Sequence, residues 1–266
     1  MNKGIEKTQT RGFEEALSCF EKALEIDDNF PEVWVNKANV YLRLQNYEMT
    51  IICFDEVIKI NPEIPLMMID VWLNKGVCHR KINEIDKALM CYQEAAKIAP
   101  QVGDIWANMA NIYLDLRQPE MALRYCDKAI VVGSDQSGHN TVAKNSKGTA
   151  LFELERYQEA LKLYEDVLEF NPVFAPSLVG KGVSLHKLGK LSRSIQFFDR
   201  AIKAEPTFTV AWYQKANVLY DLKEFKDALE CYNEILKLDS EYIKPEERGK
   251  FEALKTLSFD DFDYEL

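Results

Sequence analysis

Bulky and small residues return along this chain at a spacing close to 34 positions. Trp34, Trp72, Trp106 and Trp212 set the phase, with gaps of 38, 34 and 106, and Lys144 and Leu178 fill the two places between the last pair. With these six as anchors, other positions can be counted as slots past each one. Slot four is always small: Ala38, Gly76, Ala110, Gly148, Gly182 and Ala216. Slot sixteen is also small, as at Ala88, Ala122 and Ala160, and slot twenty is mostly aromatic, as at Phe54, Tyr92, Tyr164, Phe198 and Tyr232. Pro62, Pro100, Pro172 and Pro206 stand at slot twenty-eight.

A large residue followed four later by a small one places bulk and gap on one helical face. The gap admits a second helix, and the aromatic at slot twenty fills the space between the two. Proline then ends the pair, because it cannot continue a helix interior. Each period therefore predicts a helix–turn–helix hairpin. Such a hairpin cannot bury its apolar face alone, so consecutive hairpins stack into a solenoid.

Two four-residue insertions interrupt the period. The one near Pro65–Met68 predicts an extra helical turn started by Pro65. It is rich in apolar residues, and Leu66, Met67 and Met68 are candidates for a secondary contact as well as for packing. The other, "SDQSGHN" at 134–140, is polar and predicts a loop.

At the front, "RGFEEALSCFEKALEIDD" (11–28) keeps the phase of a second helix, and "NKG" at 2–4 aligns with 36–38 and 74–76. The chain is thus expected to open inside the first helix of a shortened repeat. About seven repeats then span 1–242. Residues 243–257 carry Phe251, Leu254 and Leu257 at helical spacing, as expected of a capping helix, and 258–266 form an acidic-aromatic tail.

The period, the W…G/A…Y spacing and the following A…F/Y…A…P spacing resemble the tetratricopeptide repeat, as in "VWLNKGVCHRKINEIDKALMCYQEAAKIAP" (71–100) and "AWYQKANVLYDLKEFKDALECYNEILKLD" (211–239). The repeated NKG/NKA core is similar to that of archaeal members. The resemblance implies an all-α solenoid of antiparallel helix hairpins, wound as a right-handed superhelix. Its first helices would line a concave surface that holds protein ligands.

At 100° per residue, slots two and five fall together on the inner stripe. Slot two holds Asn2, Asn36, Asn74 and Asn108, and slot five holds Asn39, Asn111 and Asn217. Asparagine is a mediocre helix former, so its recurrence inside helices has a cost. Its amide can donate to and accept from a peptide backbone at once. The row resembles the asparagine ladder of the family's superhelical members, which implies backbone capture of an extended peptide. Ser146 and Gly180 break the row. The family's carboxylate clamp is disfavoured, because the slots that need a base hold Val35, Asp104 and Asn108. Lys recurs at slot three, facing away from the groove, where a packed stem is expected.

Composition narrows the function. A net charge of −10 argues against binding phosphate backbones or anionic lipid surfaces, so neither nucleic acid nor membrane is an expected partner. No run of eighteen apolar residues and no signal-peptide core occurs, and the six cysteines lack zinc-ligand spacing. Reduced thiols in a cytoplasmic protein are the expectation. His79, His139 and His186 belong to no nucleophile or metal motif, and no phosphate-binding glycine loop is present, so no cofactor and no catalysis are expected. The leading expectation is an interaction scaffold with a protein or peptide partner. The alternatives are a regulatory or substrate-presenting fragment of a larger enzyme complex, and self-association through the tail or the open N-terminal hairpin.

Overall fold

The computed structural model describes residues 2–60, 63–133, 140–239 and 242, with side chains from residue 12 onward. Thirteen helices account for nearly all of these residues, and no strand occurs among them. A long helix, α1 (Asn2–Ile26), comes first. Six hairpins follow: α2 (Pro31–Arg43) with α3 (Tyr47–Ile60), α4 (Pro65–Lys81) with α5 (Ile85–Ile98), and α6 (Gly103–Asp115) with α7 (Pro119–Val132). The second three are α8 (Thr141–Glu153) with α9 (Tyr157–Phe170), α10 (Ala175–Lys187) with α11 (Leu191–Ala204), and α12 (Thr209–Asp221) with α13 (Phe225–Leu238). Each hairpin packs on the one before it, which gives the expected all-α solenoid.

The slot pattern maps directly onto this packing. The slot-twenty rings of Phe54, Tyr92, Tyr164, Phe198 and Tyr232 are buried. They lie so close to the slot-four glycines that a side chain there would have no room. A Cβ on Gly76 would stand 2.5 Å from the Tyr92 ring, and one on Gly182 would stand 2.4 Å from Phe198. Tyr164 is pinched twice, by Gly148 of its own hairpin and by Gly180 of the next. The anchor tryptophans tie down the loop that precedes them. Trp34, Trp106 and Trp212 donate their ring N–H to the carbonyls of Asp28, Pro100 and Pro206 at 2.8–2.9 Å. Where Leu178 replaces tryptophan, Arg200 Nη2 reaches the equivalent carbonyl, of Pro172, at 3.1 Å.

The slot-three lysines have partners. Lys37, Lys75, Lys147, Lys181 and Lys215 each pair with an acid on the helix just before their own: Glu21, Asp55, Asp127, Glu165 and Asp199. These acids share one slot, twenty-one. The single break is informative. The acid slot holds Gln93 in the second hairpin, and the lysine slot of the third holds Met109, which is buried. Acid and base are lost together, so neither charge is stranded at an interface.

Within each hairpin the turn is a Schellman motif. In the second hairpin, for example, the Glu84 amide reaches back to His79 O at 2.8 Å. The residue before it must take a left-handed conformation. Gln45, Asn83, Arg117, Glu155 and Lys223 do so with φ between 56° and 65°, and only Gly189 is a glycine.

Two expectations change and one holds. Residues 2–26 form one helix instead of a stub and a second helix. The segment ahead of Phe13 offers only Met1 and Ile5 as large apolar side chains, too little to hold a folded-back helix, whereas continuing α1 keeps every i→i−4 bond. The insertion at Pro65 is the extra turn, making α4 17 residues long with proline in its first turn. Met68 is buried in the core and Met67 packs partly against it, so of the proposed contact patch only Leu66, at 76% exposure, stands in water. The loop at 134–139, the capping helix and the tail lie outside the described residues.

Two outcomes follow. Gly189→Ala should destabilise by about 1 kcal/mol through backbone strain alone, because nothing lies within 4 Å of the added methyl, and Glu155→Gly should act in the opposite sense. Urea unfolding midpoints check both signs. At the interface of the fourth and fifth hairpins, a double-mutant cycle with Glu165→Gln and Lys181→Met should show a coupling of about 0.5–1 kcal/mol that shrinks in 1 M salt.

Candidate functional site: the inner face of the array

The first helices present slots one, two, five, eight and nine along one side, and the candidate groove runs over them. Asn36 and Asn39 on α2 are exposed, while Asn74 on α4 and Asn108 and Asn111 on α6 are half-buried. Asn217 lies on α12, well along the array, and Asn2 lies where side chains are not described. Part of the amide capacity is used internally. Asn108 donates from Nδ2 to its own helix at Asp104 O, at 2.9 Å, which leaves its Oδ1. Asn111 Oδ1 accepts from Ser146 Oγ of the next repeat at 2.6 Å, which leaves its Nδ2. The break in the row at Ser146 therefore has a structural cause, since this buried serine ties two repeats together. Gly180 has another: the Tyr164 ring fills its side-chain space.

Two clefts open on this face. One, of about 500 Å³, lies between the ends of α4, α6 and α8 and includes Arg80, Asn111 and Asp115. The other, of about 670 Å³, runs over α8, α10 and α12. They share Arg117, Asn145, Thr149 and Glu153, so they form one continuous depression. The larger has an apolar part, with Phe152, Val179, Val183 and Phe208, and a polar part that includes Asn145, Glu153, His186, Lys187, Gln214 and Asp221. The larger cleft thus lies beyond the four-asparagine row, in the half that slots two and five alone leave weakly marked, while the smaller one takes in Asn111.

Charge pairs cross the groove edge from repeat to repeat. Arg80 binds Asp115 through Nε at 2.5 Å and Nη2 at 3.0 Å. Arg117 Nη1 meets Glu153 Oε1 at 2.9 Å, and His186 Nε2 meets Asp221 Oδ2 at 2.8 Å. Sequence spacing hides these pairs, because the partners are 35 or 36 residues apart. Comparing slots eight, nine and eleven of adjacent repeats, instead of reading each slot down the chain, would have found them.

The tyrosines at slot twenty reach the groove floor from below. Tyr232 donates to Asn217 Oδ1 at 3.2 Å, and the Tyr164 hydroxyl lies 3.4 Å from Thr149 Oγ1. Tyr92 has Val77 in the equivalent slot, and its hydroxyl is buried without a hydrogen-bond partner.

Little here fits nucleophilic chemistry. Burial pushes the thiols of Cys53, Cys78, Cys91 and Cys231 up to about 11 and that of Cys126 to about 12, so they stay protonated near neutral pH. Among the described residues, no three His, Cys, Asp or Glu converge as a metal site, and no helix is long and apolar enough to cross a membrane.

Comparison with known proteins agrees with this architecture. Models of the tetratricopeptide repeat match residues 1–30, 31–64, 69–102, 101–172, 145–207 and 209–242. No curated protein matches the sequence. Among solved structures, the chain is similar to one from the APC/C hetero-tetramer Cut9–Hcn1, with a TM-score of 0.77 at 13% identity. That match covers 91% of this chain and 46% of the other, so the chain spans about half of that relative's length. A tetratricopeptide repeat protein from Parabacteroides merdae gives a TM-score of 0.75 at 12% identity, over 96% of both chains. Yeast Tom70 gives 0.58 at 21% identity, over 78% of this chain and 42% of its own. At these identities the likeness is one of fold.

The tyrosine hydroxyls offer a check on this geometry. Tyr92→Phe removes an unpaired buried hydroxyl and should leave stability unchanged or raise it by up to about 1 kcal/mol, whereas Tyr232→Phe should cost about 1 kcal/mol. Denaturant titration of the two variants separates the cases.

Proposed function

The chain belongs to the tetratricopeptide repeat family, and on that premise we propose that its inner face holds an extended segment of a partner protein. Arrays of this family are protein–protein interaction scaffolds, and that broad role is the chain's. The finer reading is that the groove grips the partner's backbone. Its main support is the recurrence of asparagine at slot two of three successive inner helices, at Asn36, Asn74 and Asn108. No common packing role accounts for them, since Asn36 is exposed and the other two are half-buried.

An extended strand repeats its N–H and C=O groups every few ångströms, and a row of amides can match that spacing without reading side chains. Asn39 and Asn111 extend the grip on the same stripe. With Nδ2 of Asn108 and Oδ1 of Asn111 already engaged, each has half an amide left for a ligand. Asn217 contributes farther along, in the larger cleft. Leu66 offers a separate apolar contact at the edge of α4.

The test replaces Asn36, Asn74 and Asn108 together by alanine. Three net hydrogen bonds of about 0.5–1.5 kcal/mol each correspond to at least a tenfold loss of affinity. The melting temperature should stay nearly constant, because alanine is the better helix former. The probe is the tightest dodecapeptide selected from a random displayed pool, and the readout is fluorescence anisotropy. Unchanged affinity would remove the asparagine mechanism.

A further inference from the structure

Three acids line the groove edge at slot nine, and they are not equivalent. Asp115 receives two bonds from Arg80, and Asp221 receives His186. Glu153 is satisfied on one side only. Its Oε1 meets Arg117 at 2.9 Å, while its Oε2 is buried and has no hydrogen-bond partner. The pair is also lopsided in its surroundings. The Glu153 side chain is 18% exposed and that of Arg117 is 83% exposed. Water screens the exposed cation and much less of it screens the anion. The Arg117 side chain meets Glu153 through Nη1 and has little burial to hold it in place. It can shift aside or share the carboxylate with a newcomer.

Glu153 is shared by both clefts, at the point where they join. Next to it the larger cleft turns apolar, with Phe152, Val179, Val183 and Phe208. Slot five is polar in four of the six hairpins, at Asn39, Asn111, Thr149 and Asn217, and is valine at Val77 and Val183, of which Val183 lines the larger cleft. Gly180, at slot two, lacks any side chain because Tyr164 fills its space from below, and this clears the cleft above the ring. An apolar recess therefore adjoins an incompletely paired carboxylate, within a groove that otherwise offers amides.

We infer that this junction is a selective subsite, which takes a partner segment carrying a large apolar side chain with a lysine or arginine close beside it. The inference rests on the groove reading above and adds a side-chain preference to it. The apolar side chain enters the recess over Tyr164. The basic side chain donates to the Glu153 carboxylate beside Arg117. The net charge of −10 assists the approach of such a segment and works against an acidic one.

Three pools of labelled dodecapeptides test this. Each has a central Phe and is random elsewhere, except that both positions two residues from the Phe are Lys, Gln or Glu. Side chains two apart in an extended segment point the same way. The Lys pool should bind about tenfold more tightly than the Glu pool at low salt, and the gap should narrow as salt rises. Glu153→Gln, which keeps the shape, should reduce that preference to about threefold or less. Val183→Asn, which installs the residue found at this slot in other repeats, should weaken all three pools. Equal binding of the Lys and Glu pools, or a preference that survives Glu153→Gln, overturns the inference. In that case, continued loss of binding in the Asn36/Asn74/Asn108 alanine variant would leave the groove reading standing. Failure of every pool to bind would remove both.

Discussion

In five of the six hairpins, a ring from the second helix sits against a glycine or alanine of the first, and much else in the molecule depends on that contact. It sets how closely the two helices approach. Where the ring is Tyr164, it also touches the backbone of the next repeat at Gly180, so one side chain fixes the hairpin and the step to its neighbour. Interiors packed to crystal-like density do not slide continuously, so this step is a defined one. The concave face follows from it, because the slots opposite the ring are turned inward on every repeat. The same rings bring hydroxyls up under the groove, where Asn217 and Thr149 meet them.

Around that contact the chain adds devices for register. The lysine and acid pairs between repeats are partly exposed and worth little singly. Their value is in placement: a slipped repeat would leave a half-buried lysine stem without its partner. The simultaneous replacement by Gln93 and Met109 shows the constraint acting at the interface where the charges are absent. The tryptophan bonds to the loop carbonyls do the same for the connections, and Arg200 takes over where the anchor is Leu178. Stability in such an array is a sum of repeat and interface terms, so each device acts locally.

The hairpins were legible in the sequence because their determinants repeat. Size at slots zero, four, sixteen and twenty is visible by eye, and so is the extra turn at Pro65. Other features left no such trace. The left-handed turn residue is a glycine only at Gly189, so the usual signal is missing from five of six turns. The lysines at slot three read as packed stems, and their acids were overlooked because the two slots belong to different repeats. The asparagines were found by recurrence, but recurrence does not show that Asn108 bonds its own helix or that Asn111 holds Ser146. The cleft over α8, α10 and α12 was obscured for a related reason. It is made by departures from the pattern, at Gly180 and Val183, and departures look like weakness when a slot is read alone. Residues 2–26 show the limit of alignment, since a segment in phase with a hairpin still needs enough apolar surface to fold back.

Partner binding is proposed to lie in the groove, and contact with a partner measures that most directly. A photo-cross-linking residue can be introduced at Asn145, on the inner face, and separately at Lys162, on the exposed side of α9. Illumination in the presence of the selected dodecapeptide should give covalent adducts from position 145 and none above background from position 162. Adducts from position 162 alone, or from both equally, would contradict the account.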